Sequence, residues 1–320
     1  MPSKLAILAL AAGTIVLAVT SLFVGVISMT PSEVWKDTDA LKLLLDSRFP
    51  RTVAALIVGA SLSVCGLIMQ MLVRNRFVEP MTTGTGQGAA LGVLAATVFW
   101  PSAPIIVQMS IATMTALATS ALFLTIVRSL PPTQPLLVPL VGMIFGGILG
   151  AGVTFVAFQN DMLQFIDIWL NGDFSGVLRG RYELLWIAGI VAALAYLIAD
   201  QFAIVGLGRD ASVNLGLNYE QVMTLGLIII AIVSALTVIT IGAIPFVGLV
   251  VPNIVSRRFG DNLRATLPVT ALAGGALVLS ADIIGRVVRY PFEIPVGTIL
   301  GVIGSVVFLW LLYAGPKHET

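Results

Sequence analysis

The stretch that decides the fold covers residues 48–92 and reads RFPRTVAALIVGASLSVCGLIMQMLVRNRFVEPMTTGTGQGAALG. It contains two apolar runs separated by a short polar segment that begins at Arg74. Arg48 and Arg51 stand about 25 residues before that segment, which at ~1.5 Å per helical residue is roughly the thickness of a bilayer. The pattern predicts a membrane-spanning helix, a polar turn and the start of a second apolar helix.

The composition extends this prediction to the whole chain. Of the 320 residues, 58% are hydrophobic and 10% charged, with a mean hydropathy of +1.03, whereas a soluble domain carries about 25% charged residues. Apolar runs recur from Leu5 to Tyr313 without a polar linker, so we expect one membrane domain over residues 1–320. A net charge of +1 leaves no basic surface for nucleic acid.

The apolar runs predict an all-α fold with about ten transmembrane helices. They cover residues 5–28, 52–73, 84–100, 105–127, 136–158, 184–200, 221–241, 243–256, 267–288 and 295–313. Residues 242–245 barely separate the seventh and eighth runs, so a short or broken helix is expected there. Lys and Arg are nearly balanced between the two sides, but the short basic loops at 74–76 and 257–264 favour an inward N-terminus.

Glycines recur at four-residue intervals in three of these runs. They are Gly84, Gly88 and Gly92; Gly142, Gly146 and Gly150; and Gly297 and Gly301. Such spacing lets helices approach closely in lipid, and we interpret it as packing within the bundle rather than as a dimer seam.

The sequence lacks the residues that ATP hydrolysis, metal binding and ion-coupled transport usually require. The sequence lacks a G-x-x-x-x-G-K-[ST] loop, so the chain is not expected to hydrolyse ATP. His318 is the only histidine and Cys65 the only cysteine, so we expect no metal, no cofactor and no enzymatic activity. An ion-coupled carrier would bury several acids. Here Asp282 is the clear intramembrane acid, and Arg286 lies one helical turn away, which predicts a local ion pair.

A series of ordered motifs resembles the FecCD family, the type II (vitamin B12 importer-like) permeases of bacterial ABC importers for iron–siderophore complexes. The motifs span nearly the whole chain. They are RFPR at 48–51, GASLSVCG at 59–66 with Gln70, 75–84, WLNGDFS at 169–175, LGRDASVNLG at 207–216, IPFVGLVVP at 244–252, ADIIGR at 281–286 and EIPVG at 293–297.

Two motifs depart from the family pattern. After the second helix the family usually reads Asn-Pro-Leu-Ala, and here residues 75–78 read NRFV. The family usually has Pro-His with an arginine three residues after that histidine, and here stand Pro252, Asn253 and Ser256. These variants resemble the branch that serves petrobactin, anguibactin, vibriobactin and enterobactin, which implies a catecholate-type ferric siderophore.

The resemblance implies partners and a location. The chain would be a multi-pass permease of the bacterial inner membrane, with a periplasmic binding protein that delivers the substrate and cytoplasmic ATPases that drive transport. A second permease subunit would complete the pathway, and a heterodimer is favoured over a homodimer.

The resemblance also assigns two groups of residues. The family places its ATPase-contacting helices in the polar segment that here includes Arg209, Asp210, Ala211, Ser212, Asn214, Leu215 and Gly216. Asp210 is predicted to cap a short helix there and Gly216 to end it; the alternative is an ordinary connector. Arg48, Arg51 and Arg286 match positions that receive acidic residues of the binding protein; the alternative is that they snorkel to lipid headgroups.

Other substrates and other transporter classes stay open at this stage. Haem and cobalamin are the alternative cargoes of an importer of this type. An ion-coupled secondary transporter is the alternative class. The sequence does not indicate which helix faces line the pathway, nor which siderophore would be carried.

Overall fold

The computed structural model describes residues 2–27, 30–128, 130, 137–180 and 182–313, which leaves His318 outside the described residues. Fifteen α-helices are present in this part of the chain. They are α1 Lys4–Phe23, α2 Pro31–Val34, α3 Thr38–Leu43, α4 Phe49–Val73, α5 Thr85–Phe99, α6 Ile105–Arg128, α7 Leu137–Gln159, α8 Leu163–Leu170, α9 Leu184–Leu194, α10 Ala199–Val205, α11 Arg209–Asn214, α12 Tyr219–Ile241, α13 Val247–Phe259, α14 Leu263–Val287 and α15 Val296–Tyr313.

Each predicted apolar run corresponds to a helix, but not every helix is long enough to cross a membrane. Eight helical segments are, and two are shorter: α5, with 15 residues, and α13, with 13. The sixth run is longer than predicted, because a 3₁₀ turn at Ala195–Ile198 joins α9 to α10. The short helices α2, α3 and α8 in the outer loops were not predicted.

The centre of the bundle is α4, which α14, α13, α9 and α12 surround. A π-helical turn, Leu44–Arg48, joins α3 to α4, so one continuous helical segment extends from Thr38 to Val73. Glycine allows the closest contacts: a Cβ on Gly59 would lie 2.2 Å from the Gly274 carbonyl oxygen, and one on Gly66 would lie 1.9 Å from that of Gly248. The close packing of α4 therefore depends on Gly59 and Gly66, which are not among the glycines that recur at four-residue intervals.

The predicted packing role of those stripes is confirmed for α5. A Cβ on Gly88 would lie 2.0 Å from Thr119 Oγ1, and one on Gly92 would lie 2.0 Å from Thr115 Oγ1, both on α6. No atom lies within 4 Å of a Cβ added at Gly301. The glycine pattern therefore marks a tight α5–α6 contact but not a tight contact at every position.

The helices at the periphery expose apolar side chains. In α1, α6, α7, α9 and α15 most of the apolar window lies outside the protein interior, whereas most of α4 and α12 is buried. Apolar surface on the outside of a bundle matches the hydrocarbon of a bilayer or a neighbouring subunit.

The expected irregularity between the seventh and eighth runs is present. α12 ends at Ile241, Gly242 adopts φ 86°, and Phe246 adopts φ 67° just before α13 begins. The connecting residues are fastened by backbone pairing, since Asn171 and Ala243 form an isolated β-bridge. The result is a short helix that begins inside the bundle, where its first N–H groups require protein partners.

Candidate functional site

Asp282 is the centre of a buried network of ion pairs near the predicted outer end of the bundle. Its carboxylate, which has no solvent exposure, lies 2.8 Å from Arg51 Nη2 and 2.7 Å from Arg286 Nη2. Arg51 Nη1 also lies 2.8 Å from a carboxylate oxygen of Glu293. The predicted Asp282–Arg286 pair is confirmed, and the structure adds Arg51, 231 positions away from Asp282, and, through Arg51, Glu293. Pairing of this kind is what makes charge tolerable in a low-dielectric interior.

Two of the arginines also stabilise the end of α1. Arg286 Nη1 donates to the carbonyls of Ser21, at 2.9 Å, and Val24, at 2.8 Å. Arg48 Nη1 donates to the carbonyl of Leu22 at 3.3 Å. The last carbonyls of a helix lack partners within it and carry the negative end of its dipole. These guanidinium groups therefore cap α1 from neighbouring helices.

The predicted docking residues thus have internal partners in this structure. Arg48 and Arg286 are buried, and the side chain of Arg51 is 12% exposed. With Asp282 and Glu293, the three arginines leave one surplus positive charge at the outer mouth. The docking assignment stays a prediction, and the structure gives these residues a role in folding that the sequence reasoning missed.

The predicted coupling segment forms α11, which projects between two glycines in left-handed conformations. Gly208, with φ 111°, is the N-cap residue, so the prediction that Asp210 caps this helix is wrong. Asp210 lies in the first turn instead, where its negative charge is stabilised by the positive end of the helix dipole. Gly216, at φ 82°, ends the helix as predicted. The N–H of Leu217 bonds to the Ser212 carbonyl, which completes a Schellman motif.

One side of α11 is hydrogen-bonded to the preceding turn, and apolar residues of the segment are exposed. Ser212 is buried, and its Oγ donates to the carbonyls of Ile204 and Gly208. Leu207, Val213 and Leu215 are each more than half exposed. The same segment carries the polar residues Asp210 and Asn214. Exposed leucine and valine side chains beside polar residues are features of a protein-docking surface, and the coupling role stays a prediction.

The start of α13 is held by polar side chains from the end of α4 and the turn after it, a role that the sequence did not predict for them. A Glu79 carboxylate oxygen accepts from the N–H of Phe246 at 3.1 Å. Gln70 Nε2 donates to the carbonyl of Gly248 at 3.1 Å. Both side chains are buried, so they replace the water that would otherwise satisfy these backbone groups. The motif IPFVGLVVP was the available signal, because a glycine and two prolines around a short apolar run indicate a non-standard helix.

The two departures from the family pattern lie against each other. Asn253 Nδ2 donates to the carbonyl of Arg76 at 2.8 Å and to that of Leu249. Ser256 Oγ bonds to Asp261, which also receives Arg76 Nη2 at 2.8 Å. These contacts fasten the polar turn after α4 to the last turns of α13. The residues that differ from the family pattern in the two motifs therefore belong to one contact region, at the predicted cytoplasmic end of the bundle.

The comparisons with known proteins agree with this architecture. The model of the FecCD transport family matches residues 13–314. The petrobactin import system permease YclN of Bacillus subtilis is 43% identical over 299 residues, which cover 93% of this chain and 95% of that protein. The ferric-anguibactin transport system permease FatD of Vibrio anguillarum is 43% identical over 274 residues, or 86% of this chain and 87% of that protein.

Among solved structures, a chain from a metal-chelate type ABC transporter in an inward-facing conformation superimposes with a TM-score of 0.85 at 25% identity. The superposition covers 97% of this chain and 99% of that one. The family match thus covers nearly all the described helices, and the three-dimensional arrangement agrees with it. This chain belongs to the FecCD transport family.

Proposed function

We propose that this chain is the membrane permease of an ABC importer that moves a ferric siderophore into the cell, powered by ATPase subunits on separate chains. The match over residues 13–314 carries the proposal. Relatives named for petrobactin and ferric anguibactin support siderophores as the substrate class, and the NRFV and Asn253 variants favour the catecholate type. Haem and cobalamin are the alternative cargoes, and a vitamin B12 permease of Vibrio cholerae is also similar, at 32% identity.

Transport should require a separate ATPase, because the sequence has no phosphate-binding loop. Proteoliposomes that contain this chain, its permease partner and the binding protein are expected to take up no labelled ferric petrobactin until the ATPase and ATP are added. Ferric anguibactin, haem and cobalamin offered in parallel would identify the cargo. Uptake driven by a proton or sodium gradient alone would contradict the proposal and favour an ion-coupled carrier.

The complete transporter would contain two permeases in the inner membrane, a binding protein outside and two ATPases inside. The exposed apolar faces of α7 and α15 offer surface for a second permease as well as for lipid. We favour a non-identical partner, as in the branch that the sequence resembles.

We further propose that α11 and its flanks, residues 207–216, dock on the ATPase. Replacing Leu215 with glutamine should weaken ATPase association about ten-fold or more, because burial of a leucine side chain contributes about 1.5–3 kcal/mol. Glu220→Gln is the matched control: it removes an exposed charge that pairs with Arg209 at 3.8 Å and lies in the first turn of α12, so its effect on ATPase association should stay within about two-fold. Uptake and ATPase binding that are unchanged in Leu215→Gln would make the segment a connector.

The outer arginines remain our proposed docking site for the binding protein, through the surplus positive charge that they carry. Arg48→Gln separates this role from the capping of α1. If Arg48 steers docking, the association rate of the binding protein should fall several-fold at low salt and lose part of its salt dependence. If Arg48 only caps α1, the thermal midpoint should fall while the association rate stays the same. Lys42→Gln, an exposed outer charge, controls for net charge.

A further inference from the structure

Two apolar cavities lie one after the other along α13 and share lining residues, and together we call them the trench. The first has a volume of about 350 Å³ and lies where α1, α13 and α14 meet. The second, of about 220 Å³, lies between α13, α14 and α15. Ile254, Val255 and Ala273 line both cavities, and Ile254 is 44% exposed, so the trench opens to the surface of the bundle. It extends from Arg258 at one end to Phe246 at the other.

The length of the trench corresponds to one leaflet. Val247 and Arg258 are 11 positions apart on α13, or ~16 Å at the helical rise, and half of a typical hydrocarbon core is ~15 Å. An acyl chain that enters from the headgroup region would lie along α13 and end near Phe246.

The end of the trench at Arg258 carries a positive charge for which the described residues provide no acidic partner. Arg258 is exposed, and its guanidinium makes no hydrogen bond or ion pair with any residue that the structure describes. Its neighbour Arg257 differs, because Nη2 donates to the Leu311 carbonyl at 2.6 Å and its guanidinium lies over the Trp310 ring. Lys4, at the start of α1, is also exposed, two positions before the first trench residue.

We propose that this trench binds one anionic phospholipid of the cytoplasmic leaflet, with an acyl chain along α13 and its phosphate at Arg258. The apolar lining fits the chain, and the unpaired guanidinium fits the headgroup, since a basic residue at a membrane surface attracts anionic lipid. The leaflet follows from the inward orientation of the basic loops. The bound lipid would fill the space beside α13 that none of the described helices covers.

Photolabelling of the complete transporter in nanodiscs tests the proposal. The probes are phosphatidylglycerol and phosphatidylcholine, each with a diazirine in the acyl chain, and labelled peptides are mapped by mass spectrometry. Phosphatidylglycerol should label α13 and α14 around Ile254 and Ala273 more strongly than phosphatidylcholine. Arg258→Gln should lower the phosphatidylglycerol signal about five-fold, to the level of phosphatidylcholine. Arg257→Gln removes the same charge one position away and should leave the signal unchanged.

A second variant tests the apolar half of the site. Ala273→Leu narrows the trench and should lower labelling by both lipids together. Equal labelling by the two lipids in the native protein would overturn the proposal, as would an equal loss in Arg257→Gln and Arg258→Gln. Dense labelling of exposed α7 residues without a preference for α13 would overturn it too. Labelling needs neither ATP nor siderophore, so its outcome is independent of the transport assignment.

Discussion

Replacing Asp282 with asparagine is expected to lower the free energy of unfolding by about 3–5 kcal/mol. The variant keeps the shape of the side chain but removes the carboxylate that lies 2.8 Å from Arg51 and 2.7 Å from Arg286. Glu293 would then be the remaining acid in the network for two buried guanidinium groups. The measurement is the thermal midpoint of the purified transporter, together with the amount of folded permease recovered from membranes.

Asp46→Asn is the matched control for this substitution. Asp46 is also in an outer segment, but its pair with Arg179 is 3.6 Å long, and its side chain is 57% exposed. Exposed pairs contribute ~1 kcal/mol or less, so this variant should unfold close to the native midpoint. If both variants shift the midpoint equally, the buried network does not hold the outer ends of α1, α4 and α14 together.

The sequence predicted the existence of the helices well because hydropathy is a local property. Each apolar run formed a helix, and the Asp282–Arg286 pair was predictable because its members lie four residues apart. The contact of Arg51 with Asp282 joins residues 231 positions apart, and no local pattern encodes it. The docking prediction for Arg51 rests on the family resemblance and is independent of this internal contact, which only the folded structure reveals.

The helix ends were predicted less well than the helices. Asp210 has the residue type of an N-cap, but the glycine two positions earlier took that position because the chain turns there with φ 111°. The length of α13 was equally hard to predict. Its start depends on Glu79 and Gln70, which reach it from another part of the chain. A helix that begins inside a membrane needs such tertiary partners, and a reading of local hydropathy does not include them.

The close contact between α4 and α13 leads to the last prediction, for Gly66→Ala. The added methyl carbon would lie 1.9 Å from the Gly248 carbonyl oxygen and 2.4 Å from its Cα, and both are backbone atoms. Since a side-chain rotation cannot relieve this overlap, α13 must move away from α4. That movement would also strain the hydrogen bond from Gln70 to Gly248. We expect a loss of at least about 3 kcal/mol in stability, at the upper end of overpacking effects, and little or no transport.

Gly13→Ala is the control, because Gly13 lies inside α1 and a Cβ there would meet no atom within 4 Å. Alanine favours a helix over glycine by up to ~1 kcal/mol, so this variant should be as stable as the native protein or slightly more stable. The two variants make the same chemical change in two helices, and the difference between their midpoints isolates the α4–α13 contact. If Gly66→Ala unfolds and transports like the native protein, α13 is not held against α4 during function. The polar contacts from Glu79 and Gln70 would then hold only one state of a helix that moves.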